Sequence, residues 1–151
     1  MQDQYKDALE LIEADHKKVK SLFKEFESLT DRSKVSKKRV ADQICQELTI
    51  HAEMEEMIFY PAMRGVPGME DLLDEALVEH SSAKDLISQL MGMDPEGELY
   101  DAKVKVLQEM IEHHVEEEEG DMFAKAKKSK VDLEALGDEM EAFKSKKMAS
   151  V

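Results

Sequence analysis

The sequence predicts an all-α fold, an up-down-up-down four-helix bundle with a short C-terminal helix. Four long segments carry apolar residues spaced alternately four and three apart, as on an amphipathic helix with one buried face. Short loops separate these segments, two of them containing Gly and Pro, and no run alternates apolar and polar residues as a strand does. The 151 residues suffice for one domain. We expect residues 1–125 to form the bundle, and residues 126–151 to form a polar linker and a short C-terminal capping helix.

The first half of the chain supplies two predicted helices. The first runs from Tyr5 and ends between Leu29 and Ser33, and its apolar face is Tyr5, Leu9, Ile12, His16, Val19, Phe23 and Phe26. Turn and cap chemistry at its end comes from Ser28, Thr30, Asp31 and Ser33. The second helix spans about residues 36–62, with an inner face of Ala41, Ile44, Leu48, His51, Glu55, Ile58 and Ala62. We expect it to end at Pro61, Gly65, Pro67 and Gly68.

The second half repeats this arrangement. The third helix spans about residues 69–91, with an inner face of Met69, Leu73, Ala76, His80, Ala83, Ile87 and Leu90. After a turn rich in Gly and Pro, the fourth spans about residues 96–125, with an inner face of Tyr100, Val104, Leu107, Ile111, His114, Glu118 and Met122. A lysine-rich stretch follows, and Asp132 is placed to cap a short final helix. We interpret that helix as a cap on the bundle, with a partner-binding tail as the alternative.

Histidine and glutamate replace apolar residues at the middle of all four buried faces. His51 and Glu55 form a His-x-x-x-Glu motif that recurs as His114 and Glu118, 63 residues later. Residues four apart share one helix face, so each motif presents an imidazole and a carboxylate side by side. A buried Glu is costly unless it is paired or binds a metal.

The other two helices contribute one such histidine each, His16 and His80, which are 64 residues apart. Any one of these histidines alone is best explained as a hydrogen-bonded core residue, but four on four helices at one level indicate a shared site. Six ligands of this kind suit two ions bridged by Glu55 and Glu118. Imidazole and carboxylate together favour iron, with manganese or zinc as lesser candidates.

Neighbouring residues leave alternatives for the ligand set. His113 and Glu117 have the same spacing as His114 and Glu118, but helix phase favours the latter pair. Tyr60 is interpreted as a packing residue, although a phenolate ligand to ferric iron would be chemically reasonable.

Four further carboxylates lie beside the candidate ligands. Glu56 and Glu119 either form a solvated face or accept hydrogen bonds from ligand histidines. Asp15 and Glu79, each preceding a candidate histidine, are expected to point away from the site and to be exposed.

Charge and cysteine content limit the partners and the compartment. A net charge of −14 argues against binding to nucleic acid or to an anionic membrane surface. The single Cys45 cannot form an internal disulfide and lies in a buried helical phase, which suits a reducing cytoplasm. The N-terminus shows no apolar signal segment, and no apolar run approaches the ~20 residues of a membrane span.

Taken together, these motifs resemble the hemerythrin-like, HHE cation-binding family over about residues 5–125. The matching segments are Asp15-His16, His51 to Glu56 with Phe59-Tyr60-Pro61, Glu79-His80, and His114 to Glu119 with Phe123. The resemblance implies a four-helix bundle holding a non-haem di-iron centre, bridged by the two carboxylates and an oxo or hydroxo group.

The chain departs from the oxygen-carrying members at two places. Their third helix bears a His-x-x-x-His pair, whereas Ala76 and Lys84 flank His80 here. Their last carboxylate is an Asp five residues after the histidine, whereas Glu118 follows His114 by four. The resemblance therefore favours reaction with O2, peroxide or nitric oxide, as a sensor or a catalase-like oxidoreductase. The alternative is reversible O2 or iron binding or storage without turnover, and a metal-free bundle ranks lower.

Overall fold

The computed structural model describes residues 5–29 and 34–150, and its regular elements are all helical. The α-helices are α1 (Ala8–Ser28), α2 (Lys34–Met54), α3 (Tyr60–Met63), α4 (Glu70–Met91), α5 (Tyr100–Glu117), α6 (Phe123–Lys128) and α7 (Leu133–Ala149). Two π-helical turns join some of these helices end to end: the first π turn, Glu55–Phe59, joins α2 to α3, and the second, Glu118–Met122, joins α5 to α6. We call α1, α2–α3, α4 and α5–α6 the first to fourth rods of the bundle. The predicted all-α bundle is confirmed.

Side-chain caps fix where two of the helices begin. Asp7 accepts a hydrogen bond from the Glu10 N–H at 3.0 Å, so α1 starts just after Asp7 rather than at Tyr5. Asp132 caps α7, as predicted, by accepting from the Ala135 N–H at 3.1 Å. The turn predicted at residues 30–33 lies outside the described residues.

The first π turn corrects the predicted inner face of the second rod. The Tyr60 N–H donates to the Glu55 carbonyl, five residues back, so the turn holds one residue more than an α-helical turn. That extra residue rotates the next turn of the helix, and Phe59 and Met63 are buried where the α-helical pattern had placed Ile58 and Ala62.

Pro61 does not end the second rod, as the sequence had suggested. It occupies the first turn of α3, where a missing N–H is tolerated, and the helix continues to Met63. The chain then reverses through Gly68, whose φ of +77° suits glycine.

The fourth rod begins and ends later than predicted. Residues 94–97 form a turn in which the Glu96 N–H donates to the Asp94 side chain at 2.9 Å and the Gly97 N–H to the Asp94 carbonyl at 2.8 Å. Helix α5 therefore starts at Tyr100 rather than near Glu96, and α6 extends to Lys128.

Two apolar clusters fill the interior, one on each side of a polar layer. One contains residues of α1, α3, α4, α6, α7 and both π turns, including Phe59, Met63 and Met140. The other contains residues of α1, α2, α4 and α5, including Phe23 and Tyr100. Cys45 belongs to the second cluster and is buried, as predicted.

Helix α7 packs along α1, α2 and the first π turn. Its Gly137 lies so close to the start of α1 that an added Cβ would stand 2.7 Å from the Ala8 nitrogen, so a glycine is needed there. Across the described part of the chain, no helix is both long and apolar enough to cross a membrane.

Candidate metal centre

The structure brings the six predicted site residues into one buried cluster between the two apolar clusters. They come from four rods, and each is at most 9% exposed: His16, His51, Glu55, His80, His114 and Glu118. Both glutamates are fully buried. Two groups within this cluster have ligand atoms close enough to share a metal ion.

The first subsite comprises His16, His51, Glu55 and Glu118. The His16 Nε2 atom lies 3.1 Å from Glu118 Oε1, and the His51 Nε2 atom lies 3.4 Å from Glu55 Oε2. None of these four atoms makes a hydrogen bond within the described residues, although all are buried. Such atoms are costly unless a cation binds them, so this donor set fits a metal ion.

The second subsite comprises Glu55, His80 and His114, and the second oxygen of Glu118 lies beside it. The His80 Nε2 atom is 3.1 Å from Glu55 Oε1, and the His114 Nε2 atom is 3.6 Å from Glu118 Oε2. Each glutamate thus directs one oxygen to each histidine pair. That arrangement could hold two ions bridged by carboxylates.

Tyr60 lies within the second subsite, which the packing interpretation did not anticipate. Its hydroxyl donates to Glu118 Oε2 at 2.8 Å and also lies 3.1 Å from Glu55 Oε1. The Nε2 atoms of His80 and His114 are each 3.4 Å from the same hydroxyl. The first π turn makes this possible, because it brings Tyr60, five residues after Glu55, back onto the inner face.

Each site histidine also has a carboxylate partner at its outer nitrogen, Nδ1. Asp15 Oδ2 is 2.7 Å from His51, and Glu79 Oε1 is 2.7 Å from His114. These two pairs are equivalent in the two halves. A carboxylate only accepts, so each Nδ1 carries a hydrogen and each neutral ring leaves its Nε2 lone pair for the centre.

The other two pairs join one half of the chain to the other. Glu56 Oε2 is 2.8 Å from His80 Nδ1, and Glu119 Oε2 is 2.6 Å from His16 Nδ1. Of the two interpretations of Glu56 and Glu119, the structure supports hydrogen bonding to site histidines.

The expectation that Asp15 and Glu79 are exposed is wrong. Asp15 is 4% exposed, and the Glu79 side chain is 28% exposed. Each reaches across to the histidine of the adjacent helix, a contact between helices that the phase of a single helix does not predict. The repeated acid-His sequence was the available signal, since both acids recur beside a site histidine.

The choice of His114 over His113 agrees with the observed burial. His114 is 6% exposed, whereas the His113 side chain is 66% exposed and lies 3.6 Å from Glu117 at the surface. His113 and Glu117, together with Glu79, form a separate group of potential ligand atoms outside the core.

The charge balance of the metal-free centre shows its need for a cation. Although burial opposes it, the charge of Glu55 raises the pKa of His51 well above its usual value. Burial likewise opposes the interaction of the imidazole with the carboxylates of Glu118 and Glu55, which raises the pKa of His114 to about 12. Burial and the adjacent carboxylates raise the pKa of Tyr60 well above 10.0, so its hydroxyl stays protonated. Without metal, protons supply the positive charge that the buried glutamates require.

A cavity of about 200 Å³ leads to the centre. Aliphatic side chains form most of its wall, among them Val19, Leu48, Ile87 and Ile111. All four site histidines line it, while Ser82 and Lys84 contribute to its lining from exposed positions. A small uncharged molecule therefore fits this cavity better than a large or ionic one.

Comparisons with known proteins identify a matching family and a similar fold. The model of the family described as Hemerythrin HHE cation binding domain matches residues 7–126. A crystal structure of an HHE domain-containing protein, the Rv2633c homologue from Mycobacterium kansasii, superimposes with a TM-score of 0.81 at 26% identity. That match covers 95% of this chain and 88% of the other.

A protein named DNA nickase from Nostoc sp. (strain PCC 7120 / SAG 25.82 / UTEX 2576) is 33% identical over 139 residues. The match covers 91% of this chain but only 39% of the Nostoc protein. The chain thus spans about two fifths of that relative's length.

Proposed function

Because the chain belongs to the hemerythrin HHE cation-binding family, we propose that it holds two iron ions in its core and decomposes hydrogen peroxide in a catalase-like reaction. The division of oxygens within Glu55 and Glu118 carries the proposal. Each glutamate offers one oxygen to the His16–His51 pair and the other to the His80–His114 pair. That is the donor pattern for two carboxylate-bridged ions.

Iron is the metal that this donor set favours. Four imidazole nitrogens and two carboxylates suit iron better than softer or harder ions, with manganese or zinc as lesser candidates. When bound, iron would supply Lewis acidity and the transfer of electrons to and from a small oxygen-containing ligand. Two molecules of peroxide would yield two of water and one of dioxygen, so no other reductant is needed.

The protein's own groups would orient the ligands, exclude bulk water and hold a proton. The outer carboxylates fix the four imidazole rings with Nε2 directed inward. The aliphatic cavity admits a molecule the size of peroxide, O2 or nitric oxide. The Tyr60 hydroxyl oxygen lies 2.8 Å from Glu118 Oε2, and this hydroxyl holds a proton inside the centre.

The function is tested by metal analysis and peroxide consumption on protein purified without chelators. We expect two irons per wild-type chain and rapid loss of added peroxide. His114→Ala should lose at least one ion and most of the peroxide consumption. The exposed control, His113→Ala, should keep two ions and full peroxide consumption. A stable O2 adduct without peroxide consumption would favour the alternative, reversible O2 or iron binding. Iron that is absent and cannot be restored by ferrous salt would contradict both.

The same preparations test whether this chain nicks DNA, the activity in the name of the Nostoc relative. The name of that longer protein refers to DNA nicking. Our expectation that nucleic acid is not a partner of this chain stays a prediction. We expect the iron-loaded chain to leave supercoiled plasmid intact, because the mostly apolar wall of the cavity disfavours an anionic phosphodiester and the net charge is −14. Nicking that is lost in His114→Ala would overturn this expectation.

A further inference from the structure

The second oxygen of Asp15 connects the metal centre to the C-terminal helix. Asp15 Oδ2 holds the His51 ring at 2.7 Å, and Asp15 Oδ1 is bound by the Lys144 ammonium of α7. The side chains of Asp15 and Lys144 are only 5% and 19% exposed. A charged group from α7 therefore lies one residue away from a proposed ligand.

The equivalent carboxylate in the other half lacks such a contact with the described residues. Glu79 Oε1 holds His114 as Asp15 holds His51, but the other oxygen of Glu79 faces the exposed His113 at 3.8 Å, beyond hydrogen-bonding distance. Of these two repeat-related carboxylates, only Asp15 is held from behind by a buried ammonium. Helix α7 thus adds to one half something that the repeat does not supply.

The position of Lys144 is imposed by the packing of α7. Met140, one helical turn before it, is fully buried, and Gly137 allows the close approach of α7 to α1. One turn after it, Lys147 pairs with Glu53 of α2 at 3.2 Å. Because both flanking turns are held in place, Lys144 loses little conformational entropy when it contacts Asp15.

We propose that Lys144 is a positioning residue for the first metal subsite, where it fixes the Asp15 carboxylate that orients His51. The proposal rests on the proposed metal centre. Helix α7 lies beyond residues 7–126, which the family model matches, so this contact comes from a part of the chain outside the matched family domain. Removing a partner of a metal-ligating histidine typically lowers metal affinity about 10- to 100-fold. Because Lys144 acts through Asp15, we expect the lower end of that range.

The test is a calorimetric titration of the full chain with Co²⁺ alone, followed by the absorption spectrum of the bound ion. Wild-type protein should take up two ions. Lys144→Met should weaken one of the two binding steps by about tenfold, leave the other unchanged and alter the spectrum of the weakened site. Lys144→Arg, which keeps the positive charge, should restore the affinity to within about threefold. The matched control is Lys146→Met, which removes an exposed ammonium from the same helix and should bind both ions as the wild-type protein does.

A second variant guards against a fold defect in Lys144→Met. Gly137→Ala leaves Lys144 intact but forces α7 away from α1, and it should weaken the same binding step. If wild-type protein takes up no Co²⁺, the proposed metal centre fails and this proposal fails with it. If wild-type protein binds two ions and both Lys144→Met and Gly137→Ala bind them as tightly, only the role of Lys144 is overturned.

Discussion

Tyr60 is the residue at which the two halves of the metal centre differ most. Its counterpart, five residues after the second glutamate, is Phe123, which also comes after a π turn but has no hydroxyl. Among the described residues, the centre therefore contains one phenol, placed among His80, His114 and both glutamates. A phenylalanine of the same shape is already accommodated at the equivalent position of the other half.

Tyr60→Phe should destabilise the metal-free protein. The change leaves buried oxygens of Glu118 and Glu55 without their donor, at a cost of about 1–3 kcal/mol in the free energy of unfolding. The measurement is urea denaturation in the presence of a chelator. The control is Tyr100→Phe, since the buried Tyr100 hydroxyl makes no hydrogen bond with any described residue and its loss should cost little. Equal effects of the two changes would contradict this assignment of Tyr60.

Single residues were predictable where their position depends on only one helix. Helix phase identified His114 rather than His113, because a buried face is a property of one helix. Asp15 and Glu79 were missed because their contacts join two helices, and the distance between helices is not contained in the phase of either. The phenol of Tyr60 was missed for a third reason, since its place depends on an irregular helical turn.

At the scale of elements, the two π turns determine which side chains are buried after each bridging glutamate. A regular 3.6-residue period predicted Ile58 and Ala62 in the core, but the extra residue in the turn buries Phe59, Tyr60 and Met63 instead. The aromatic residues five positions after Glu55 and Glu118 were the sequence signal for this shift. The prediction of four helices was unaffected by this shift, because the lengths of the helices and the positions of the loops do not depend on helix phase.

Deleting Met57 tests the first π turn. Met57 is 64% exposed, so its side chain contributes little to the core. The deletion removes the extra residue of the turn, so a regular α-helix then places Phe59, Tyr60 and Met63, each one position closer to Glu55, on the same inner face. We therefore expect the core to stay packed and the free energy of unfolding to change by less than about 1 kcal/mol.

The control for this deletion is Met57→Ala, which removes the same side chain without shortening the turn. It should change the free energy of unfolding by less than about 0.5 kcal/mol. Chemical denaturation of both proteins gives the comparison. A deletion that costs more than about 3 kcal/mol, as the loss of large buried side chains does, would contradict the view that one extra residue sets the packing after Glu55.

At the scale of the whole molecule, the buried charges predict opposite effects of pH on the metal-free and metal-loaded protein. In the metal-free state, the pKa of His51 and that of His114 lie above the unfolded value of 6.5, the latter at about 12. The folded state therefore binds more protons than the unfolded chain above about pH 6.5. The stabilisation from these groups is fully present below that pH and is lost progressively as the pH rises towards 12.

With a chelator present, we expect the thermal midpoint to fall between about pH 6.5 and pH 9. Metal binding should show the reverse trend, because an ion displaces the protons on the histidines and its affinity rises with pH. Calorimetry in buffers of different ionisation enthalpy measures the released protons. His113→Gln, a change at an exposed histidine, serves as the control and should leave both trends intact. A metal-free midpoint that rises over this range would contradict the charge assignment.

The sharing of each glutamate between the two histidine pairs has a consequence for how the molecule assembles. Neither half of the chain holds a complete subsite, because the pair His16–His51 needs Glu118 from the second half and the pair His80–His114 needs Glu55 from the first. The centre is thus built like the interface of a two-fold homodimer whose subunits have been fused. The short connection between α3 and α4 acts as a tether that raises the local concentration of one half around the other to the millimolar range. Assembly of the binding site then does not depend on the amount of protein present, as it would in an unfused dimer.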